Sequence, residues 1–407
     1  MESPRTAEEL SRFDPYWCLF WGKPVTRFQF DIWVPYIRRS RYRFAVLASN
    51  DQFSEHVRAT VAELPNCVIL EPFDEAVRWL KARDRRSLRG FLYVGTKQDN
   101  FSIVNKFGRY LHVRIGHGES DKVYNAPRTA SLYDSVFMAT YESLRRYPAT
   151  IRPWVAWGAC AIGNPIPEGA QKDPWDRPRP IRTILYAPTW EGHTQFAAYT
   201  SLLDAGAALI EALPRLAARG TRVIVRPHSA TGVRLPELRD LIARMVAAGA
   251  VRGTDKRQDF LDADIMVSDV SGVTSEFLFT EKPTVIPVSE RLAGLGKGGA
   301  RLRHEYPWVG LWDPAREDLV AVVERLERED PLRDARARAA RRLFRGHRSL
   351  EDAVLSFDIA LGTVRWRRRP YVPVRWVYEV RRALARLGIA VPAAIPAPVS
   401  DRPITAT

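Results

Sequence analysis

Long apolar runs and cysteines are scarce in this sequence of 407 residues. No stretch approaches the roughly 18 apolar residues that are needed to cross a bilayer, so we expect no transmembrane helix. The first residues lack the basic start and apolar core of a signal peptide, which favours a cytoplasmic location. The only cysteines, Cys18, Cys67 and Cys160, are too widely spaced for a disulfide framework or a metal site. We therefore interpret them as small buried apolar side chains.

Acidic residues are also in deficit. Asp and Glu together number 47 against 62 Lys and Arg, which gives a formal net charge of +15. Such an excess favours a polyanionic partner, which would be a phosphorylated substrate, an anionic lipid or a nucleic acid. Composition does not choose among these three, and codon bias towards arginine would produce part of the same excess.

A chain of this length favours two domains. Short apolar runs alternate with amphipathic stretches, which predicts strand–helix units around parallel sheets. The predicted strands cover residues 44–49, 67–70, 91–95, 111–116 and 136–140, and then 183–187, 222–225, 265–267 and 284–287. The predicted helices cover residues 55–64, 74–83, 202–218, 235–247 and 274–279. The expected fold class is therefore α/β, with two Rossmann-like doubly wound domains that face a cleft.

Shifts in composition give the expected domain boundaries. Residues 1–40, rich in aromatics and broken by prolines, are interpreted as a lead-in that packs on the first domain. The two Rossmann-like domains are predicted at 41–162 and 181–345, and a linker with five prolines at 163–180. Residues 346–390 are expected to form C-terminal helices and a basic, aromatic membrane-contact segment, and residues 391–407 a disordered tail.

The first polar motif, His117-Gly118-Glu119, follows a predicted strand of the first domain. Gly118 permits a tight turn and a close approach of backbone to a ligand. His117 is either a core histidine that a carbonyl satisfies or a base held over a ligand. Ligands of open α/β sheets bind at the carboxyl ends of the strands, where this motif falls.

Two further motifs end strands of the second domain. In Arg226-Pro227-His228 the guanidinium and the imidazole suit a phosphate, although Pro227 could also be stiffening a helix-entry turn. The stretch 268–276 leads from a strand through a small-residue turn into a helix. There, backbone N–H groups and the hydroxyls of Ser271 and Thr274 could bind a pyrophosphate, and Glu276 could bind a hydroxyl. The alternative is plain N-capping by Ser271.

A basic, aromatic segment lies near the C-terminus. Residues 364–382 interleave seven arginines with Trp366, Tyr371, Trp376 and Tyr378. We favour a peripheral contact with an anionic membrane, because arginine attracts anionic lipid and Trp and Tyr suit the interface. An RNA-binding tail would show a similar pattern, and a solvated helix face is the plain alternative.

The ordered motifs resemble one family. The stretches 184–190, 226–228 and 268–276, preceded by His117-Gly118, resemble the CDP-glycerol glycerophosphotransferases, which are teichoic-acid primases and polymerases. The resemblance spans roughly residues 91–287. It implies a GT-B architecture and a catalytic unit on the inner face of the cell membrane. It also implies that glycerol phosphate passes from CDP-glycerol to a hydroxyl of a lipid-linked cell-wall or capsule polymer, with release of CMP.

The resemblance also implies roles for individual residues. His117 matches the candidate general base, His228 the histidine that grips the pyrophosphate, and Glu276 an acidic residue, commonly Asp, that contacts donor hydroxyls. The predicted site has His117 and His228 as catalytic residues. Its predicted substrate-binding residues are Gly118, Glu119, Thr189, Arg226, Ser271, Gly272, Thr274 and Glu276.

The sequence departs from the family pattern at three places, which bear on the donor more than on the fold. Glu191 stands where a basic residue is common, Gly272 replaces the second serine of a Ser-Ser pair, and residues 119–122 differ from the usual continuation.

The expected partners are CDP-glycerol or a related CDP-polyol, a lipid-linked polymer acceptor and an anionic membrane surface, with no nucleic acid. No acidic cluster indicates a metal, so we expect no cofactor, with a loosely bound Mg²⁺ left open. Two alternatives remain at this point. One is a GT-B glycosyltransferase that uses a nucleotide sugar, and the other is a non-catalytic, arginine-rich protein that binds nucleic acid or membrane.

Overall fold

Two parallel sheets organise the chain. The computed structural model describes residues 16–21, 27–49, 53–82, 86–95, 99–118, 128–173, 179–192 and 199–364. The first sheet has the strand order β3-β2-β1-β4-β5-β6-β7, and the second has the order β10-β9-β8-β11-β12-β13. In both sheets the order reverses between the first and fourth strands, which is the doubly wound pattern. The prediction of two Rossmann-like domains is confirmed.

The strands are short and parallel. Those of the first sheet are β1 (Tyr16–Trp21), β2 (Arg43–Ala48), β3 (Cys67–Leu70), β4 (Leu88–Tyr93), β5 (Leu111–Arg114), β6 (Ser135–Met138) and β7 (Ala159–Ala161). Those of the second are β8 (Thr183–Ala187), β9 (Arg222–Val225), β10 (Val251–Arg252), β11 (Ile265–Ser268), β12 (Thr284–Pro287) and β13 (Gly310–Trp312). Because helices cover both faces, strands such as β8 and β11 are buried along their whole length, which explains their continuous apolar runs.

Helices follow most strands. In the first part of the chain they are α1 (Arg27–Arg39), α2 (Glu55–Ala62), α3 (Phe73–Ala82), α4 (Asp99–Lys106) and α5 (Arg152–Trp157). Further along they are α6 (Leu202–Ala218), α7 (Glu237–Ala247), α8 (Lys256–Asp262), α9 (Gly272–Phe277), α10 (Glu290–Leu292), α11 (Gly299–Glu305), α12 (Leu319–Arg328), α13 (Arg333–Leu343) and α14 (Leu350–Thr363). Short 3₁₀ turns cover Arg128–Leu132, Tyr141–Arg146 and Leu278–Thr280, and one π-helical turn covers Ala293–Lys297.

Side-chain caps define where several helices begin. In each case a serine or aspartate oxygen accepts a hydrogen bond from a backbone N–H of the first turn, which satisfies a donor that the helix itself leaves unpaired. The capping residues are Ser54, Asp255, Ser289, Asp318 and Ser349.

The interpretation of residues 1–40 as a lead-in is wrong where the structure describes them. Strand β1 pairs with β2 on one side and β4 on the other, so it lies inside the first sheet. All six of its residues are buried. Aromatic side chains suit a buried strand, and Pro15 and Pro24 stand on either side of the strand rather than within it. The first sheet therefore begins well before the predicted boundary at residue 41.

The last described helix returns to the first domain. The ring of Phe357 in α14 lies 5.2 Å from the ring of Trp33 in α1. The carboxylate of Asp358 accepts hydrogen bonds from the hydroxyl of Ser40 at 2.5 Å and from the backbone N–H of Arg41 at 3.0 Å. These contacts fix the C-terminal helix against the N-terminal half of the chain.

Some predictions fall outside the described residues. Among them are Glu119, the membrane-contact segment beyond Val364 and the predicted disordered tail. Cys18, Cys67 and Cys160 are buried, as predicted, and none of the three forms a disulfide. Within the described ranges, no helix combines the length and the apolar character needed to cross a membrane.

Candidate functional site

The three motifs of the second domain meet at one edge of its sheet. Strands β9, β8 and β11 are neighbours, so the segments that follow them leave the sheet side by side. The backbone N–H of Thr189 donates to a carboxylate oxygen of Asp269 at 2.6 Å. The indole of Trp190 stacks on the imidazole of His228, with 6.0 Å between ring centroids. These contacts join the segment after β8 to each of the other two.

A local hydrogen bond orients His228. Its Nδ1 accepts the backbone N–H of Ala230 at 3.0 Å. In the neutral imidazole the ring proton then lies on Nε2, which becomes the donor. This arrangement suits a hydrogen bond to a phosphate oxygen.

Arg226 forms an ion pair within the second domain. Its Nη1 donates to Oδ2 of Asp259 at 2.6 Å. Burial raises the pKa of the Asp259 carboxyl, and this outweighs the opposing effect of the Arg226 guanidinium. Arg226 is only half-buried and also lines a cleft, so one part of its planar donor fork is held in place while the side chain faces the cleft.

The third motif is tightly held by its own hydroxyl groups. Thr274 is fully buried, and its hydroxyl donates to the carbonyl oxygen of Asp269 at 2.5 Å. This hydroxyl therefore supports the turn. Ser271 occupies the N-cap position of α9, yet its side chain makes no capping hydrogen bond within the described part of the chain. That observation counts against the interpretation of Ser271 as a residue that only caps the helix.

A cleft of about 670 Å³ separates the two domains. Arg226 and Glu276 line it from the second domain, and Asp31 and His56 line it from the first. Nε2 of His56 lies 2.7 Å from Oδ1 of Asp31. The cleft therefore has charged groups from both domains.

Sequence reasoning missed several residues of this cleft. Lys256 also lines it and pairs with Glu276 at 2.9 Å, so the predicted hydroxyl-binding carboxylate already has a cationic neighbour. Asp31 and His56 lie 25 positions apart on separate helices. Their pairing depends on how α1 packs beside α2, which no local sequence pattern records.

The first-domain motif follows β5, as predicted. Nδ1 of His117 lies 3.4 Å from the carbonyl oxygen of Val94. In the tautomer that donates this bond, Nε2 is the basic nitrogen. The indole Nε1 of Trp33 donates to the carbonyl oxygen of Gly116 at 2.8 Å and so holds the same loop.

Three of the predicted site residues line cavities, and these cavities are two rather than one. The other described ones, His117, Thr189, His228, Ser271, Gly272 and Thr274, line neither. Gly118 lines a smaller cavity of about 40 Å³ in the first domain, whereas Arg226 and Glu276 line the cleft. Pro165 lines both cavities, so they adjoin at the start of the segment between the domains.

A family model matches the part of the second domain that carries its three motifs. Residues 172–293 match the family described as CDP-Glycerol:Poly(glycerophosphate) glycerophosphotransferase. All three second-domain motifs lie inside this range. The family resemblance is confirmed. The predicted enzyme class, a phosphotransferase like the CDP-glycerol glycerophosphotransferases, is confirmed with it.

Solved structures confirm the GT-B-type fold. The wall teichoic acid polymerase TagF matches with a TM-score of 0.53 at 14% identity, over 88% of this chain and 91% of that one. A protein assigned as a UDP-N-acetylglucosamine 2-epimerase from Listeria monocytogenes matches with a TM-score of 0.56 at 13% identity, over 86% and 96%. A TagF variant soaked with CDPG matches with a TM-score of 0.53 at 13% identity, over 88% and 93%. No curated protein sequence matches the chain significantly.

Glu191, a departure from the glycerophosphotransferase pattern, has a structural role. Its side chain is fully buried and accepts the backbone N–H groups of Gly232, Arg234 and Leu235 at 2.7 to 3.1 Å. Burial alone would raise the pKa of Glu191, but its own backbone N–H and these three N–H groups together outweigh it and lower the pKa. A carboxylate here fixes the segment that follows His228.

Proposed function

We propose that the protein transfers glycerol phosphate from CDP-glycerol to a hydroxyl of a lipid-linked cell-wall or capsule polymer and releases CMP. The observation that carries the proposal is the meeting of Thr189, Arg226, His228 and Ser271 at one sheet edge, through the Thr189–Asp269 and Trp190–His228 contacts. This edge offers a guanidinium, an imidazole N–H and a hydroxyl. Such donors suit a diphosphate.

The proposed reaction is an in-line displacement at the β-phosphorus. The acceptor oxygen forms the new P–O bond while Nε2 of His117 takes its proton. The bond from the β-phosphorus to the bridging oxygen breaks, and CMP leaves with that electron pair. Arg226 and His228 stabilise the charge that builds on the leaving phosphate, since catalysis of phosphoryl transfer depends mainly on positioning and electrostatics.

The remaining predicted residues take supporting roles in the proposal. Ser271 and the backbone at Gly272 contact the diphosphate, and Glu276 contacts a hydroxyl of the donor. Gly118 lets the backbone turn beside the acceptor. Thr189 and Thr274 hold the turn at Asp269 in place, because each of them donates a hydrogen bond to this residue. Glu119 lies outside the described residues and stays a predicted substrate-binding residue.

Membrane attachment completes the proposal. The acceptor is lipid-linked, so the enzyme would work at the inner face of the cell membrane. The arginines and aromatic residues of the segment 364–382, which lies almost wholly outside the described residues, would supply the contact with anionic lipid.

The test is release of CMP from CDP-glycerol, with CDP-ribitol and a panel of nucleotide sugars alongside. Membranes from a bacterium that makes a wall polymer supply the acceptor. We expect release from a CDP-polyol with the wild type, its loss in His117→Ala and retention of donor binding in that variant. His304→Ala is the matched control, because His304 is an exposed histidine of α11. Near-normal turnover in His117→Ala would refute the role of His117, and turnover only with a nucleotide sugar would replace the proposed reaction by glycosyl transfer.

A further inference from the structure

The smaller cavity of the first domain has a positively charged wall. Two arginines, Arg114 and Arg146, contribute to its lining, and none of the described residues that line it is acidic. Neutral hydrogen-bonding groups lie in the lining at Ser143, Tyr147 and Asn164, and apolar side chains make up much of the rest. A cavity whose described lining offers two guanidinium groups and neutral hydrogen-bonding groups favours an anionic ligand.

Arg114 is the buried part of this wall. It is the last residue of β5 and is only 5% exposed. Its Nη1 lies 3.4 Å from the hydroxyl of Tyr147, and a methyl group added at Gly116 would lie 3.8 Å from the same nitrogen. The guanidinium is therefore held beside the loop that carries His117.

The position of the cavity relates it to the acceptor rather than to the donor. Gly116 and Gly118, on either side of His117, both line it. Pro165 lines both this cavity and the interdomain cleft. A ligand in the cavity would thus lie beside the backbone on either side of the proposed base and adjoin the cleft that Arg226 lines.

We propose that this cavity binds a phosphate group of the acceptor, next to the hydroxyl that attacks CDP-glycerol. The inference rests on the proposed function, because it assigns the cavity to the second substrate of that reaction. At about 40 Å³ the cavity has room for a small group such as one phosphate. Arg114 and Arg146 grip the phosphate oxygens, since a guanidinium fork matches them in shape and charge.

Two adjacent arginines provide a matched test. Arg145 and Arg146 both end the 3₁₀ turn Tyr141–Arg146 and are both exposed, but only Arg146 lines the cavity. Titration calorimetry at fixed salt would measure binding of sn-glycerol 3-phosphate, glycerol and CDP-glycerol to the wild type, Arg145→Ala and Arg146→Ala. A second titration of sn-glycerol 3-phosphate would use protein saturated with CMP.

We expect sn-glycerol 3-phosphate to bind the wild type and glycerol not to bind measurably. Arg146→Ala should weaken the binding of sn-glycerol 3-phosphate about fivefold, because one partly exposed charge-assisted contact is lost. Arg145→Ala should leave it unchanged, and neither variant should alter the affinity for CDP-glycerol. Binding of sn-glycerol 3-phosphate should persist in the presence of CMP.

Three results would overturn the assignment. Equal weakening in both variants would show attraction to general surface charge, and no weakening in either would show that Arg146 does not contact the phosphate. Loss of sn-glycerol 3-phosphate binding in the presence of CMP would move the phosphate to the donor cleft. If CDP-glycerol fails to bind while the Arg146-specific effect remains, the proposed function fails and the phosphate site stands.

Discussion

The indole of Trp33 donates a hydrogen bond of 2.8 Å to the carbonyl oxygen of Gly116, the residue before His117. The two residues are 83 positions apart in the chain. Trp33 itself is almost completely buried and packs against Phe357 of the returning helix α14. The loop that carries the proposed base is therefore anchored to α1 and, through it, to the C-terminal helix.

Trp33→Phe should impair turnover with little effect on donor binding. The substitution keeps an aromatic ring but leaves the Gly116 carbonyl without this donor, which costs about 1–3 kcal/mol for a buried group. If the loop that carries His117 is held less firmly, the base is positioned less well, and kcat should fall about tenfold. Trp21→Phe is the control, because Trp21 is buried in the same core and its indole N–H has no hydrogen-bond partner among the described residues. Equal losses of kcat in both variants would contradict the positioning role of Trp33.

Gly118→Ala should reduce turnover through the backbone rather than through a clash. Gly118 has a φ of +95°, which L-residues rarely adopt, while an added Cβ would lie 3.5 Å from Oδ1 of Asn164, an ordinary contact. The substitution should cost about 1–2 kcal/mol of stability or shift the loop. A shift that moves His117 should lower kcat about tenfold or more.

Gly249→Ala controls for the loss of stability. Gly249 has a φ of +106°, follows α7 in the second domain, and would meet no described atom within 4 Å of an added Cβ. Thermal unfolding should show similar destabilisation in both variants, and steady-state kinetics should show a fall in kcat for Gly118→Ala alone. A normal kcat in Gly118→Ala would count against a strict backbone requirement beside His117.

Arg226→Lys should weaken the binding of CDP-glycerol about tenfold, because a lysine retains the charge beside Asp259 but loses the planar fork. Arg222→Lys is the control. Arg222 begins the same strand that Arg226 follows, and it pairs with Asp262 at 2.7 Å as Arg226 pairs with Asp259 at 2.6 Å. Calorimetry should show unchanged affinity for Arg222→Lys. A similar loss in both variants would indicate a general effect on the strand instead of a contact with the donor.

The sequence predicted the elements whose pattern is local. The helix Leu202–Ala218 and the strand Arg222–Val225 have the predicted bounds. A helix buried on one face and a strand buried on both faces each leave a recognisable pattern of apolar residues in the sequence. The neighbouring order of β9, β8 and β11 then follows from the doubly wound rule, so the meeting of the second-domain motifs was predictable.

Other features depend on contacts between distant residues. Strand β1 was missed because flanking prolines and dense aromatics outweighed its uninterrupted apolar run. The pairing of Lys256 with Glu276 and the placing of Arg114 beside Tyr147 depend on packing between elements, on which sequence periodicity carries no information. The sequence marks Glu191 only as a departure from the family pattern, because its three backbone partners lie 41 to 44 positions further along the chain.

Glu191→Gln should destabilise the protein in a pH-dependent way. The folded state lowers the pKa of Glu191 below its ordinary value of 4.5, so the ionised carboxylate stabilises the fold above that pH. This contribution is lost as the pH falls through the lower, folded-state pKa. At about pH 7 glutamine should cost about 1–3 kcal/mol, because its amide N–H₂ replaces an oxygen that accepts a backbone N–H.

Urea unfolding of the wild type and Glu191→Gln would measure this difference at about pH 7 and at successively lower pH. The difference should shrink below about pH 4.5, since protonation of Glu191 in the wild type removes the advantage that the variant lacks. Glu211→Gln is the control, because Glu211 is exposed on α6. The same substitution there should hardly change the free energy of unfolding at any pH tested. Only an ionised carboxylate held by N–H groups contributes a free energy of unfolding that changes with pH. A difference between wild type and Glu191→Gln that stays constant with pH would therefore mean that the shape of the side chain, and not its ionisation, determines its contribution.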